Sequence, residues 1–303
     1  MDDIKKPKFL QVVSRSDEKL LDISADIAGN PPTSQDFAFT HAVLCQVGLP
    51  RSKVEGHKFM RRSGDAWISV QAGCLDEGKG AVEQPVPYGA MPRIALAWAS
   101  TYALRHKTRE IPIGGSAKEF IRLMLGDEGG GRQYTTLRKQ LHALAACRLQ
   151  IGYKGRTFNG QPIEQFDAWL LNRSDKGQAP LWPGVLLLSQ SYFNDLQNGA
   201  AVPLDNRALH ALRGSALALD VYSWLAHRLH RVSDKKPLCL SWQRIREQFG
   251  QEYADKRNFR KEFLSALHKV RAVYPTARVA LMSGHLVLLC SPPPISKKLI
   301  STS

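Results

Sequence analysis

The sequence predicts an α+β protein made of two tandem copies of one helical unit, preceded by a small N-terminal β-rich extension. Three observations favour this fold class. Short apolar runs bounded by Gly and Pro occupy residues 36–86, as in a small sheet. Beyond them, one order of amphipathic helices and short strands occurs twice. Landmarks of the two copies also recur at similar spacing: Trp98 and Trp224 lie 126 residues apart, and Arg138 and Arg260 lie 122 residues apart.

The N-terminal part divides into an arm and a β-rich segment. Residues 1–35 are polar and contain "NPP", which predicts a flexible arm. The runs "FTHAVLCQVGLP" and "DAWISVQAGCL" that come after it predict the strands of a hairpin or a small sheet.

The first copy begins at "PYGAMPRIALAWASTYALRHK", where apolar residues at helical spacing predict a helix. The short strand "REIPI" follows. Ser116 then caps a second helix, "SAKEFIRLML", in a capping-box pattern with Glu119. A third helix carries Leu137, Leu141 and Leu144 on one face, and strand-like runs lie beyond it.

The stretch "GDEGGGRQYTT" joins the second and third helices of the first copy. A phosphate-binding P-loop needs a Gly-Lys-Ser/Thr sequence between a strand and a helix. Here the glycines follow a helix, and Asp127 and Glu128 would repel phosphate. We therefore predict a tight turn that sets one helix across another.

The second copy repeats this order. It has the helix "SALALDVYSWLAHRLHRV", the strand "PLCL", the helix "SWQRIREQFG" capped by Ser241, the helix "DKRNFRKEFLSALHKVR" and the hairpin "RVALMSGHLVLL". Helix, strand, helix, turn, helix and hairpin is the order of a winged-helix domain. The sequence thus predicts two tandem winged-helix domains: residues 1–35 form the arm, 36–189 the β extension with the first winged helix, and 190–303 the second.

The third helices are the predicted DNA readers, because a winged helix sets its third helix into the major groove. Opposite their core faces, both helices carry basic and hydrogen-bonding side chains, interrupted in the second only by Asp255 and Glu262. The hairpin "GYKGRTFNG" is predicted to be the first wing. The candidate DNA-binding residues are Arg132, Thr135, Thr136, Arg138, Lys139, His142, Lys154, Arg156, Lys256, Arg257, Asn258, Arg260, Lys261, Ser265 and His268.

Composition narrows the partners. The formal net charge of +15 favours a polyanion, either nucleic acid or an anionic membrane surface. No apolar run approaches the roughly 18 residues of a membrane span, and the N-terminus lacks a signal-peptide core. The five scattered cysteines show no metal-binding or disulfide pattern, so a cytoplasmic protein is expected.

The sequence contains no recognisable catalytic constellation. It has neither the His-x-His metal site expected of a rolling-circle nickase nor a G-x-S-x-G nucleophile elbow. His227 and His230 lie three residues apart, but no further ligand stands at metal-binding spacing. We therefore expect a protein that is not an enzyme and uses no cofactor and no metal.

Several segments resemble, in order, the plasmid-encoded RepA replication initiators of Gram-negative bacteria. The most specific are "VPYGAMPRIALAWASTYALR" and "VPLDNRALHALRGSALALDVYSWLAHRL", and the likeness extends from about Phe39 to Leu289. The resemblance implies a theta-type initiator that binds origin repeats (iterons), promotes opening of AT-rich DNA and recruits the host initiator and helicase. It also implies an equilibrium between monomer and dimer.

Two other functions remain open at this point. A winged-helix transcriptional repressor would carry the same reading helices, because DNA binding by itself does not distinguish repression from replication initiation. An enzyme acting on nucleic acid is the third and weakest alternative.

Overall fold

The computed structural model describes residues 15–76, 80–125, 131–167, 184–282 and 284–296. For residues 15–17, 117, 132 and 133 it describes the backbone only. The glycine turn predicted at residues 126–130 lies outside the described residues, as do residues 1–14 of the predicted arm.

The described residues of the N-terminal part form two α-helices and five strands. They are α1 (Arg15–Gly29), β1 (Phe37–His41), α2 (Leu44–Val47), β2 (Lys58–Ser63), β3 (Ala66–Gln71), β4 (Cys74–Asp76) and β5 (Ala81–Glu83). The prediction of a flexible arm is therefore wrong over Arg15–Gly29. Leu20 and Ile27 of α1 pack against the core, and this apolar burial holds the helix in place.

The first helical unit begins at α3. Its elements are α3 (Ala90–His106), β6 (Glu110–Gly114), α4 (Ala117–Leu125), α5 (Gly131–Ala146), β7 (Arg148–Tyr153), β8 (Arg156–Gly160), β9 (Ile163–Phe166) and β10 (Gly184–Leu188). The predicted cap of α4 is present, since the Glu119 amide donates to Ser116 Oγ over 3.2 Å.

A connecting segment and the second unit complete the chain. The connection has α6 (Gln190–Asp195), β11 (Ala201–Asp205) and α7 (Asn206–Leu212). The second unit has α8 (Ala216–Arg228), β12 (Leu238–Ser241), α9 (Trp242–Phe249), α10 (Lys256–Val273), β13 (Val279–Met282) and β14 (His285–Leu288). Strand β11 pairs antiparallel with β1, which ties the connection to the N-terminal part.

The two units have the same three-stranded antiparallel sheet. In the first, the strand order is β6-β10-β9, and in the second it is β12-β14-β13. In each, the strand after the first helix pairs with the last strand of the hairpin. The units are therefore topological equivalents, as the spacing of sequence landmarks predicts.

Equivalent tryptophans hold the helices of each unit together. Trp98 is the ninth residue of α3, and its ring meets the edge of Phe120 in α4 at 5.1 Å between centroids. Trp224 is the ninth residue of α8, and it meets Phe249 in α9 at 5.2 Å. Edge-to-face contacts at such distances are favourable for aromatic pairs. The internal repeat in the sequence thus corresponds to a repeated packing contact.

The β7–β8 hairpin belongs to a different sheet. Strand β7 pairs with β3 over its whole length, which completes a sheet of order β2-β3-β7-β8. Gly152 of β7 lies under the Trp67 indole, where a Cβ atom would come within 1.9 Å of Trp67 Nε1. The prediction that "GYKGRTFNG" is the wing of the first unit is therefore wrong. Because β10 pairs with both β6 and β9, the hairpin equivalent to β13–β14 is β9–β10, which comes later in the chain.

A buried carboxylate joins the two units and the N-terminal part. Asp220 of α8 accepts two hydrogen bonds from Arg93 of α3, at 2.7 and 2.9 Å, and one from Arg51 at 3.1 Å. Arg93 also donates to the carbonyls of Leu49 and Pro50. The two sequence segments that carry the family resemblance, one around Arg93 and one around Asp220, therefore meet in a single ion pair.

A second carboxylate extends this cluster. Glu252, which follows α9, lies 3.0 Å from Arg51 Nε and 3.0 Å from Arg61 Nη2. Arg61 is only 2% exposed and donates to the carbonyls of Gly48 and Leu49. Gly48 is required here, since a Cβ atom would lie 2.7 Å from Asp220 Oδ1. The docking of the N-terminal sheet onto the second unit depends on these contacts.

The cluster keeps its charges despite its burial. Burial by itself would raise the pKa of Asp220, but the guanidinium groups of Arg93, Arg51 and Arg61 more than offset this and hold the pKa below its ordinary value. Burial, together with the charge of Arg51, lowers the pKa of Arg61 to about 10. Both groups are therefore ionised at neutral pH.

We expect Asp220→Ala to lower the free energy of unfolding by about 3–5 kcal/mol, because it leaves buried guanidinium groups without their counter-charge. Since the pKa of Asp220 is depressed, its stabilisation is present above the unfolded-state pKa and is lost as the pH falls. Urea unfolding measures the change, with the exposed Glu262→Ala as a control expected within about 0.5 kcal/mol of wild type. An equally small effect of Asp220→Ala would contradict this account.

Candidate nucleic-acid interface

Helix α10 begins with a satisfied cap and a dense row of basic side chains. The carboxylate of Asp255 accepts hydrogen bonds from the amides of Arg257 and Asn258, at 3.2 and 2.9 Å. Those amides are occupied, so an anion approaching this helix would meet side chains rather than the free helix terminus. Phe259, Phe263 and Val270 anchor the opposite face in the core.

The first turns of α10 form one wall of an open groove with a volume of about 1390 Å³. Helix α9 forms the floor, and the turn between β2 and β3 forms the second wall. The basic side chains in the lining belong to Arg62, Arg244, Arg246, Lys256, Arg257 and Arg260. The carboxylate of Glu247 also lines the groove and accepts a hydrogen bond from Gln243. The groove therefore presents a strongly positive surface, suited to a polyanion.

An aromatic stack orients one of these side chains. The Arg260 guanidinium carbon lies 4.6 Å from the centre of the Trp242 ring. Trp242 is itself fixed by an edge contact with Phe263 at 5.9 Å. A guanidinium held over an indole ring loses less freedom when it forms a bidentate hydrogen bond. Arg260 is thus preorganised for a planar acceptor pair such as the guanine edge.

All the predicted residues of the second reading helix are exposed. They are Lys256, Arg257, Asn258, Arg260, Lys261, Ser265 and His268. Three of them, Lys256, Arg257 and Arg260, line the groove.

Sequence reasoning missed the contributions of neighbouring elements to the groove. Arg244 and Arg246 lie on α9, and Arg62 lies on a strand nearly 200 residues earlier in the chain. Arg246 also donates to the Tyr253 carbonyl at 3.2 Å, so it supports the connection between α9 and α10. The basic residues in "SWQRIREQFG" were a signal in the sequence for the first pair. Nothing in the sequence places Arg62 beside them.

Comparison with known families identifies the chain. Residues 86–244, more than half of its 303 residues, match the family described as plasmid encoded RepA protein. The chain belongs to the RepA family of plasmid replication initiators. The matched region runs from just before α3 into the start of α9, and it contains both Arg93 and Asp220. No curated protein sequence matches the chain.

Two solved structures are similar to this RepA-family chain. A selenomethionine crystal structure of domains 2 and 3 of RctB is 13% identical, with a TM-score of 0.50, over 82% of this chain and 96% of that one. A second crystal structure of RctB domains 2–3, also 13% identical, covers 81% of this chain and 94% of its own, with a TM-score of 0.49. At this identity the similarity to the first structure shows a common mixed helix-and-sheet fold.

In the first unit of this RepA-family chain, the predicted reading face of α5 is only partly exposed. Thr135, Thr136 and Lys139 are exposed and Arg138 is half-buried, whereas the side chain of Arg132 lies outside the described residues. His142 is 2% exposed, and its ring meets the edge of Phe166 in β9 at 5.6 Å. The prediction of His142 as a DNA-binding residue is therefore wrong, because the β6-β10-β9 sheet covers this turn of the helix.

Lys154 and Arg156 are exposed at the tip of the β7–β8 hairpin. Lys154 adopts φ +47° beside Gly155 at φ +82°, the left-handed pair that a two-residue hairpin turn requires. The hairpin carries them as part of the N-terminal sheet, so they do not form a wing on α5.

The described parts of the chain hold no group of three or more His, Cys, Asp or Glu residues placed to bind a metal ion. Among the helices in those same parts, none combines the length and apolar character needed to cross a membrane.

We expect His142→Ala to lower the free energy of unfolding by about 1–3 kcal/mol, because it removes a buried side chain from the contact between α5 and β9. The affinity for DNA is expected to stay at the wild-type value. Thermal or urea unfolding and a binding titration together measure both effects. The exposed Lys139→Ala, on the same helix, is the opposite case: it is expected to keep wild-type stability and to weaken binding. Wild-type stability combined with weakened binding would return His142 to the interface.

Proposed function

We propose that this chain is a plasmid replication initiator that binds repeated origin sequences, or iterons, in double-stranded DNA. Membership of the RepA family supports the role in replication. The main support for DNA binding is the positive groove, which is lined by the start of α10, by α9 and by the β2–β3 turn. A polyanion is the partner that such a lining favours.

In this proposal both helical units are winged helices. The support is their common order of helix, strand, helix, helix and hairpin, together with the shared sheet orders β6-β10-β9 and β12-β14-β13. In a winged helix the third helix enters the major groove. That helix is α5 in the first unit and α10 in the second.

The side chains of α10 divide naturally between bases and phosphates. Arg260, held by Trp242, is suited to guanine, and the amide of Asn258 is suited to adenine. Lys256 and Lys261 are suited to phosphate oxygens, which fix the register of the helix on the duplex. Helix α5, with Thr135 and Lys139 exposed, offers a sparser set for the second contact.

The ion pair between Arg93 and Asp220 fixes the position of the two units relative to each other. It holds α3 of the first unit against α8 of the second, so the two third helices keep one spacing. A pair of reading helices at fixed spacing favours a DNA site of about two helical turns, roughly 21 base pairs.

The remaining parts of the proposal come from the family resemblance. The protein would act in the cytoplasm without catalysis, promote opening of AT-rich DNA and recruit the host initiator and helicase. A monomer–dimer equilibrium would govern how much protein is competent to bind.

The deciding experiment is a footprint of the full chain on the DNA that flanks its gene. Protection of several direct repeats next to an AT-rich tract is the expected result. Protection of one palindromic operator, without repeats, would favour a repressor instead. Incubation of supercoiled origin DNA with the protein and a divalent cation tests the enzyme alternative, because any nicked product would contradict a non-catalytic initiator.

We expect the double variant Arg257→Ala, Arg260→Ala to bind the protected repeat more weakly by at least about 1–3 kcal/mol, because it removes the proposed guanine contact of Arg260 and a second positive charge of the groove. Both side chains are exposed, so the free energy of unfolding is expected to fall by no more than about 1 kcal/mol, from the loss of the contact between Arg260 and Trp242. Fluorescence anisotropy measures the affinity. Arg271→Ala, at the far end of the same helix, is the matched control. Equal affinities of the double variant and wild type would remove α10 from the interface.

We also expect wild-type binding to weaken by orders of magnitude between about 50 mM and 200 mM salt, because phosphate contacts release counterions. A titration of affinity against salt concentration measures this dependence. A flat profile would contradict nucleic-acid binding by the groove.

A further inference from the structure

Strand β2 carries two consecutive arginines that have different surroundings. Successive side chains of a strand point to opposite faces. Arg61 points inward, where it contacts Glu252 and the carbonyls of Gly48 and Leu49. Arg62 is exposed and lines the groove. The first arginine anchors the strand to the second unit, and this leaves the second facing the same space as α10.

The β2–β3 turn is fixed to the connection between α9 and α10. Gln251 Nε2 donates to the Arg62 carbonyl at 3.0 Å and to the Glu247 carbonyl at 2.6 Å. The next residue, Glu252, pairs with Arg51 and Arg61. Because these contacts come from adjacent residues of one loop, the turn and the start of α10 are held at a defined separation across the groove.

The hairpin of the second unit does not supply this wall. None of the described residues of the β13–β14 hairpin lines the groove. Its edge strand instead exposes Leu281, 55% accessible, and Met282, 64% accessible. These apolar side chains are poor ligands for a phosphate backbone, whereas a guanidinium is a good one.

The neighbouring turn at the same end of the N-terminal sheet continues the positive surface. Ser63 pairs with Ala66, Ala66 with Tyr153, and Tyr153 with Arg156. The β7–β8 turn with Lys154 therefore lies beside the β2–β3 turn, at the usual strand spacing of about 5 Å from β3 to β7. Lys154 is exposed in this turn, whereas Arg156 is in register with Ser63, on the face opposite to Arg62, and lies 4.0 Å from Asp195.

We propose that this end of the N-terminal sheet, where the β2–β3 and β7–β8 turns lie, is a phosphate-binding wall of the DNA site. In this proposal Arg62 contacts the backbone of the duplex that α10 reads. Lys154, in the neighbouring β7–β8 turn, extends the wall. The inference rests on the proposed function, because it takes α10 as the reading helix. It makes the DNA site a composite of the N-terminal extension and the second unit.

The test compares Arg62→Ala with Lys58→Ala in the full-length protein. Lys58 lies on the same strand and the same face, is equally exposed, and is outside the groove lining. The probes are two labelled duplexes about three helical turns long, one with the footprinted sequence and one with a scrambled sequence. Affinity is measured for each at several salt concentrations.

Arg62→Ala is expected to weaken binding to both duplexes by a similar factor, about five- to tenfold, because phosphate contacts carry no sequence information. The slope of log affinity against log salt is expected to fall by about 0.9, the value for one phosphate. Lys58→Ala is expected to match wild type. Arg62→Lys is expected to restore much of the affinity, since lysine also binds phosphate. Adding Lys154→Ala to Arg62→Ala is expected to reduce the salt slope further.

Wild-type affinity and salt slope in Arg62→Ala, together with weakened binding in Arg257→Ala, Arg260→Ala, would overturn the composite site and leave α10 as the reader. Equal losses in Arg62→Ala and Lys58→Ala would overturn it too, since they would indicate general charge rather than a contact. If the wild-type protein binds neither duplex, the proposed function itself fails, and the composite site fails with it.

Discussion

Asp220 is the residue at which the separate parts of this chain meet. Its carboxylate receives Arg93 from the first unit and Arg51 from the N-terminal part, and Glu252 extends the cluster to Arg61. Removing a partner from a buried ion pair costs about 3–5 kcal/mol, although the intact pair adds little net stability. An arrangement of the units that separates these groups is therefore strongly disfavoured. The cluster selects one docking geometry, and the spacing of α5 and α10 depends on that choice.

The positive groove is a consequence of this docking. The contacts of Arg51 and Arg61 with Glu252 bring the β2–β3 turn against the connection before α10. Basic residues of β2, α9 and the start of α10 then face one space. Because these positive charges lie close together, their electrostatic potentials add, and the local attraction for a polyanion increases. The buried charges thus organise the exposed ones.

The division of labour between the two units differs despite their common topology. In the second, the start of α10 stands open, and Trp242 holds Arg260 in place. In the first, the sheet that contains β9 covers α5 near His142, so a shorter stretch of that helix is exposed. The β7–β8 hairpin, inserted between α5 and β9, pairs with β3 and joins the first unit to the N-terminal sheet. The first unit therefore contributes more to assembly of the fold, and the second presents the more open basic helix.

The sequence by itself determined the internal repeat, the order of helices and strands in both units, the caps at Ser116 and Ser241, and the exposed face of α10. These features depend on local periodicity and on side chains close in the chain, which is why a single sequence contains them. The sequence did not determine which strands pair. Two hairpins follow α5, and only the pairing of β7 with β3 and of β10 with β6 shows that the second hairpin belongs to the unit. Three further features likewise required the tertiary structure: the burial of His142, the packing of α1 against the core, and the position of Arg62 across the groove from α10. Each depends on contacts between residues far apart in the chain, which neither composition nor spacing specifies.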